Sequence, residues 1–315
     1  MNFNDKKPVT WDANEWKQAF RYAVERRDYF LLHRLRIEVY ENTLYIVKRG
    51  DYVVDSGECV ALENAETTTT NTRFYKEELS PDDCKTNRFE TIVEVENCDC
   101  LVVANKLVAQ ESGVCVLNMA NRRNPGGGVL SGCGAQEEYL FRCSDYYRSL
   151  YQFADYAPMY GLKTAQDSYP MDRNYGGIFS PDVTVFRGGE EDGYPLLRRP
   201  WRVNMIAVAA INRPELEYID GEERVVAHLI PAVKNKIRSV LRIARDNNQT
   251  SLVLGALGCG AFRNPPKHTA ELFKAVMQEP EFCGVFKRIC FAIKEDHNSR
   301  GRGNYAPFKE VFERG

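Results

Sequence analysis

Eight residues after Gly128, the last of the run Gly126-Gly127-Gly128, comes Gln136-Glu137-Glu138, which sets two carboxyl groups beside a backbone that can approach an anion closely. Glycine amides with no Cβ in the way suit phosphate oxygens, and a positioned carboxyl group suits proton transfer. Adjacent carboxylates on a helix point roughly 100° apart, so one is assigned to holding and the other to proton transfer. Acidic residues in a first helical turn also complement the helix dipole, which would explain an arbitrary Glu-Glu. The neighbouring glycine loop is what favours chemistry here. A helix amino terminus lowers a carboxyl pKa, whereas burial and a nearby carboxylate raise it. An acid that donates near pH 7 needs the second pair of effects to prevail.

The glycine run closes a stretch from Val114 to Val129 that begins as an apolar strand and passes through Asn118, Asn121 and Asn124 before Pro125. Alone, it reads equally well as a tight turn between strand and helix. Ser251 to Pro266 repeats the design, with an apolar strand, glycines at Gly255, Gly258 and Gly260, then proline and a helix. Ligands of open α/β sheets sit outside the carboxyl ends of the strands, so the two loops point to one crevice with a diphosphate between them. Phe262 offers a ring face to a base or ribose. Neither loop is a familiar nucleotide fingerprint. Ser131 stands where the third glycine of a Rossmann motif belongs, and no Gly-Lys-Ser/Thr follows either loop, so dinucleotide and nucleoside-triphosphate chemistry are set aside.

These loops need elements to position them. The spacing of Trp16, Phe20, Ala23, Phe30, Leu32 and Leu35 predicts helical structure from Trp11 to Leu44, then alternation around Tyr45, Val47 and Tyr52-Val53. Thr67 to Thr70 reads as a loop. From Phe89 the rhythm changes to alternating units. Strand Thr91–Val95, helix Leu101–Gln110, strand Gly113–Asn118 and helix Gln136–Phe153 are followed by a long connection, Asp155–Pro200. Strand Val203–Ile211, a helix from Glu222 to Arg245 interrupted at Pro231, strand Ser251–Leu257, helix Lys267–Met277 and strand Arg288–Ile293 complete the chain. A connection as long as Asp155–Pro200 is usually functional or mobile. The class is α/β, with a sheet covered on both faces.

Composition bounds the partners. The 315 residues carry 42 Lys+Arg against 44 Asp+Glu, so neither general nucleic-acid binding nor an anionic membrane surface is expected, and any polyanion must meet a local site. The amino terminus lacks the apolar run of a signal peptide, and no stretch approaches a membrane helix, which indicates an intracellular, cytoplasmic protein. Its 10 cysteines, among them Cys115, Cys283 and Cys290, then read as reduced thiols, and the sequon at Asn248 carries no meaning. No metal or cofactor is called for. Cys98-x-Cys100 is too close for an ordinary zinc pair, and His33, His228, His268 and His297 lack partners at ligand spacing. Cys133 and Cys259 lie inside the loops without an identifiable base.

Pro125-Gly126-Gly127-Gly128, seven residues, then Gln136-Glu137-Glu138 resembles the signature of the microbial-type poly(ADP-ribose) glycohydrolases. Asn118-Met-Ala-Asn121 is similar to a macrodomain ribose motif, Gly258-Cys-Gly-Ala-Phe-Arg-Asn-Pro265 to a second phosphate loop, and Phe179 to Arg187 to a further family segment. The resemblance implies a macrodomain-like three-layer α/β/α sandwich with a mixed central sheet. Residues 1–88 would form an N-terminal helical and irregular extension, and residues 89–315 the catalytic domain. It implies that Glu138 is the catalytic acid, that Glu137 bonds the scissile ribose hydroxyls, that Gln136 fixes the helix start and that Asn121 orients the distal ribose. Gly126, Gly127, Gly128 and Val129 on one side, and Gly258, Cys259, Gly260, Ala261 and Phe262 on the other, would wrap the diphosphate of ADP-ribose. The expected partner is ADP-ribose or poly(ADP-ribose), including chains carried on modified proteins, without metal or cofactor. A non-catalytic ADP-ribose reader and a hydrolase of single ADP-ribosyl groups are the competing functions. Recognition through backbone amides would be less salt-sensitive than a Lys/Arg surface.

Overall fold

A computed structural model describes residues 9–62, 66–81, 88–295 and 303–313; His297 lies outside them. The chain opens with α1 (Ala13–Arg26) and α2 (Tyr29–Arg49). The break between them is local: Arg27 adopts a left-handed φ of 54°, and Asp28 caps α2 by accepting from the Leu31 amide. The helical segment expected over residues 11–44 is therefore two helices, and Tyr45 and Val47 belong to α2 rather than to a strand. A hairpin of β1 (Asp51–Val53) and β2 (Cys59–Ala61) follows, then α3 (Glu66–Asn71) and β3 (Arg73–Tyr75). The threonine run read as a loop is part of α3, where buried Thr68 donates its hydroxyl to the Asp182 carbonyl (3.2 Å). Tertiary contact there overrides a weak local preference.

The body comprises β4 (Ile92–Glu96), α4 (Cys100–Val108), β5 (Val114–Met119), α5 (Gln136–Cys143), α6 (Tyr147–Tyr151), β6 (Gly177–Arg187) and β7 (Leu196–Val208). Then come β8 (Leu216–Ile219), β9 (Glu222–Val225), α7 (Ile230–Asp246), β10 (Ser251–Leu254), α8 (Pro266–Met277), β11 (Arg288–Ala292) and α9 (Tyr305–Glu313). The central sheet has the order β3-β6-β7-β5-β10-β11-β4, parallel from β7 to β4 and antiparallel across β3-β6-β7.

Three sequence expectations are corrected. The connection over residues 155–200 contains β6 and the start of β7. Pro181 does not interrupt their pairing because it sits in a bulge, between Ser180 and Val183, where the Asp182 amide donates to Asn204 Oδ1 (3.0 Å). The helix expected from Gln136 to Phe153 breaks at Ser144, which bridges to Val185 while Asp145 exchanges backbone and side-chain bonds with Thr184. Pro231 starts α7 instead of kinking it, and Glu222–Val225 is a strand.

The core lies on both faces of the sheet. Along β5, Val116 joins the cluster containing α2, α4, α5 and α6 residues, while Cys115 and Leu117 join the cluster containing α7, α8 and α9 residues. Along β10, Val253 faces the first cluster, and Leu252 and Leu254 face the second. Alternation buried on both sides is why these strands read as continuous apolar runs. β5 and β10 are parallel neighbours, so both glycine loops leave the same edge of the sheet side by side. Among the described residues, no helix is long and apolar enough to cross a membrane.

Candidate active site

The start of α5 is tied to the end of β5 by Gln136. Its Oε1 accepts from the Met119 amide (2.9 Å), and its Nε2 donates to the Leu117 carbonyl (2.7 Å). That pair of bonds needs a side chain that is both donor and acceptor, which glutamine supplies and glutamate does not. Gln136 thus faces the strand.

The two carboxylates that follow are buried and differently held. Glu137 accepts at both oxygens, Oε2 from the Asn121 amide (2.6 Å) and Oε1 from the Gly126 amide (3.0 Å). Glu138 accepts at Oε1 from the Gly128 amide (2.7 Å), while its buried Oε2 has no partner among the described residues. Gly127, with φ of 57°, passes between them: a Cβ there would lie 2.3 Å from Glu138 Oε1 and 3.0 Å from Glu137 Oε2. Gly126 lies equally close to Phe141, and Gly128 to Cys133.

The amides of residues 126–129 are all engaged within the chain, since those of Gly127 and Val129 donate to Asn124 and Gly126 carbonyls (2.9 and 3.1 Å). In the structure, this loop wraps the carboxylates rather than presenting free donors. Asn121 Oδ1 accepts from the amides of Arg123 and Asn124 (2.9 and 3.0 Å). Its Nδ2 has no acceptor among the described residues.

Burial pushes the Glu137 carboxyl well above the ordinary range, and the charge of Glu138 adds to the rise. The amides of Asn121 and Gly126 and the side chain of Asn118 act in the opposite direction. Buried Phe141 packs against Tyr40, Tyr146 and Tyr151, and the Tyr40 hydroxyl donates to that of Tyr151 (2.8 Å). These rings keep the carboxylates in a low-dielectric setting, where charge interactions are strong.

The second loop is built differently. The amides of Gly258, Gly260, Ala261 and Phe262 have no acceptor among the described residues, while that of Cys259 donates to the Ala256 carbonyl (3.0 Å). Gly258 has φ of 79°, and a Cβ on it would lie 2.5 Å from Asn264 Nδ2. That buried amide donates to the Ile211 and Gly258 carbonyls (2.8 and 3.1 Å) and so fixes the curve of the loop. Phe262 is half-buried and Ala261 exposed. The Cys259 thiol is pushed up to about 12 by burial, which removes it as a nucleophile. A Cβ on Gly255 would stand 3.1 Å from the end of Met119, so the two loops touch at their roots.

Beneath the first loop lies a network that sequence spacing does not reveal. Gly132 rests on the His33 carbonyl and Gly134 on the Arg36 guanidinium. Arg36 pairs with Glu190 through two bonds (2.8 and 2.9 Å), Tyr194 donates to Glu190 (2.9 Å), and buried Arg142 donates to the Cys133 carbonyl and the Tyr194 hydroxyl (both 2.8 Å). Arg36, Glu190 and Arg142 are far apart in the chain, and no local motif announces them. Glu94, Glu96 and Cys290 come close enough to share a cation. Arg288 occupies Glu94, however, and burial with the two glutamates pushes the Cys290 thiol to about 12.

Residues 40–188 match the family described as microbial-type PARG, catalytic domain. Among solved structures, poly(ADP-ribose) glycohydrolase of Thermomonospora curvata bound to the inhibitor ADP-HPD is 32% identical with a TM-score of 0.69, over 88% of this chain and 99% of that one. The Deinococcus radiodurans poly(ADP-ribose) glycohydrolase in complex with ADP-ribose is 29% identical with a TM-score of 0.63, over 81% of this chain and 99% of that one. No curated protein matches.

Proposed function

The chain belongs to the microbial-type poly(ADP-ribose) glycohydrolases, and from that premise we propose that it hydrolyses the ribose–ribose O-glycosidic bond of poly(ADP-ribose), releasing ADP-ribose, with Glu138 as acid and base. The observation that carries the roles is the unequal holding of the two carboxyl groups. Glu137 has both oxygens anchored, whereas Glu138 is fixed at Oε1 and has Oε2 without a partner among the described residues.

A protonated Glu138 fits this geometry. Its carbonyl oxygen, Oε1, keeps the Gly128 amide, and its hydroxyl oxygen, Oε2, delivers the proton to the departing ribose oxygen. The carboxylate left behind then takes a proton from the attacking water. Each Glu137 oxygen retains a lone pair for a ribose hydroxyl, and the carboxylate that forms on Glu138 as its proton leaves faces the positive charge of an oxocarbenium-like transition state. The first loop supports this by holding carboxylates, and Asn121 Nδ2 is available to the distal ribose. The unpaired amides of Gly258, Gly260, Ala261 and Phe262 take the diphosphate, with the Phe262 ring beside the ribose.

We divide the chain by role. Residues 1–88 supply the support beneath the catalytic loop, at His33 and Arg36, together with the edge strand β3 of the central sheet, and residues 89–315 carry the chemistry. We place the protein inside the cell, on the burial of Cys100, Cys115, Cys143, Cys259 and Cys290 in the apolar core, where reduced thiols reside.

The test is incubation of native protein and Glu138→Gln with poly(ADP-ribose), followed by chromatography of the products. Native protein releases ADP-ribose, and the variant releases it at least about a hundredfold more slowly while still binding ADP-ribose in calorimetry. Undiminished release by the variant overturns the assignment of the acid. Binding without release by native protein identifies a reader.

A further inference from the structure

Arg122, Arg123 and Arg173 gather beside the catalytic loop with no ion pair among the described residues. Arg122 and Arg123 directly follow Asn121, whose amide is bonded to Glu137. The Arg122 carbonyl accepts from the Met171 amide (2.9 Å), and its Nη1 donates to the Met171 carbonyl (3.0 Å), which stitches the loop to residues 171–175 and brings Arg173 alongside. That segment is itself anchored. Buried Lys236 donates to the Asp172 and Tyr175 carbonyls (2.7 and 2.8 Å), and Asp172 Oδ1 accepts from the amides of Asn174 and Tyr175 (2.7 and 3.2 Å).

The arginines feel one another. Burial first, then the charges of Arg173 and Arg123, lower the Arg122 pKa, with Asp172 acting against them. Burial and the Arg122 charge likewise bring Lys236 to about 8, again against Asp172. Asp172, itself bonded to backbone amides, is the carboxylate whose charge reaches Arg122 and Lys236. Guanidinium groups held together at such a site are suited to a phosphate, whose oxygens match their planar fork.

We propose that Arg122, Arg123 and Arg173 form a second phosphate subsite, which takes the diphosphate of the polymer unit joined to the one being cleaved. This rests on the glycohydrolase reading above. Poly(ADP-ribose) carries a diphosphate in every unit, so a chain running past Asn121 brings the next one to these arginines. A single ADP-ribose held by the second glycine loop leaves them unused. The subsite favours polymer over single ADP-ribosyl groups, and it adds a salt-dependent component to recognition that otherwise relies on backbone amides.

The test variant is Arg123→Gln combined with Arg173→Gln. Both side chains are exposed, and Arg122 is kept because it bonds Met171. The expected result is a KM for poly(ADP-ribose) raised on the order of tenfold, with the slope of log KM against log salt reduced by about 1.4 for the two charges removed. The calorimetric affinity for ADP-ribose and the thermal midpoint stay unchanged. An unchanged KM for polymer overturns the subsite. Equal weakening for ADP-ribose and polymer also overturns it, as does lost binding of single-stranded RNA with polymer KM intact. If native protein released no ADP-ribose, the glycohydrolase reading alone would fall. Fluorescence anisotropy of labelled polymer still decides the subsite, with weaker binding by the variant supporting it and equal binding refuting it.

Discussion

Gly127 packs directly onto the carboxylate of Glu138, with its Cβ position 2.3 Å from Oε1. The loop and the acid are therefore one construction: the backbone can donate from Gly126 to Glu137 and from Gly128 to Glu138 only because nothing projects between them.

Gly127→Ala should consequently be far more damaging than its size suggests. The residue has φ of 57°, which alanine adopts at a cost, and the methyl group would displace Glu138. We expect turnover of poly(ADP-ribose) to fall at least about a hundredfold, as for an angstrom-scale misplacement of a catalytic group. Urea unfolding should show about 1–3 kcal/mol lost from strain and displaced contacts. Near-native kcat in a merely less stable variant would show that the loop does not position the acid.

What the sequence made legible follows from distance along the chain. Gly126 to Glu138 and Gly258 to Pro265 are short segments whose residue types state their own constraints, and parallel apolar strands announced the sheet that brings them together. Arg36 and Glu190 are separated by 154 positions, so their pairing beneath Gly134 has no local signature. Other elements carried signals that a helical reading overlooked. Asp220-Gly221, with φ of 53° and 79°, is the turn of the β8–β9 hairpin, and Pro231 marks the first turn of α7. Pro181 disguised β6 as irregular because a bulge accommodates it. The engagement of the first loop's amides by carboxylates was also hidden, since glycine runs serve either purpose.

Asn264→Ala should separate binding from chemistry. The side-chain amide braces the second loop through the Ile211 and Gly258 carbonyls and contacts neither carboxylate. Removing it takes from the part-buried Ile211 carbonyl its only donor among the described residues, at about 1–3 kcal/mol, leaves the Gly258 carbonyl with the residue 264 backbone amide alone (3.0 Å), and loosens the curve that aims the Gly258 to Phe262 amides. We expect the calorimetric Kd for ADP-ribose to rise on the order of tenfold with kcat within a few-fold of native. A destabilised variant that keeps native affinity for ADP-ribose would remove the second loop from the binding site.

The pH dependence of stability should carry a contribution from Asp145. This buried carboxyl accepts from the Thr184 amide (2.8 Å) where α5 gives way to the sheet, and burial raises it from 3.8 to about 6 against that bond and the charge of Arg148. A group raised in the folded state binds its proton more tightly there than in the unfolded chain. Its stabilising contribution is therefore complete below about pH 4, declines as pH rises through about 6, and is absent above. The rise corresponds to about 3 kcal/mol. Asp145→Asn keeps an oxygen for the Thr184 amide and has no proton to lose, and every other carboxyl group is common to both proteins. Urea unfolding at pH 4 and at pH 7.5 should show native protein losing about 3 kcal/mol relative to the variant as pH rises. A difference between the two proteins that stays constant over this range would mean that Asp145 is ionised at an ordinary pH and that its burial is relieved by water.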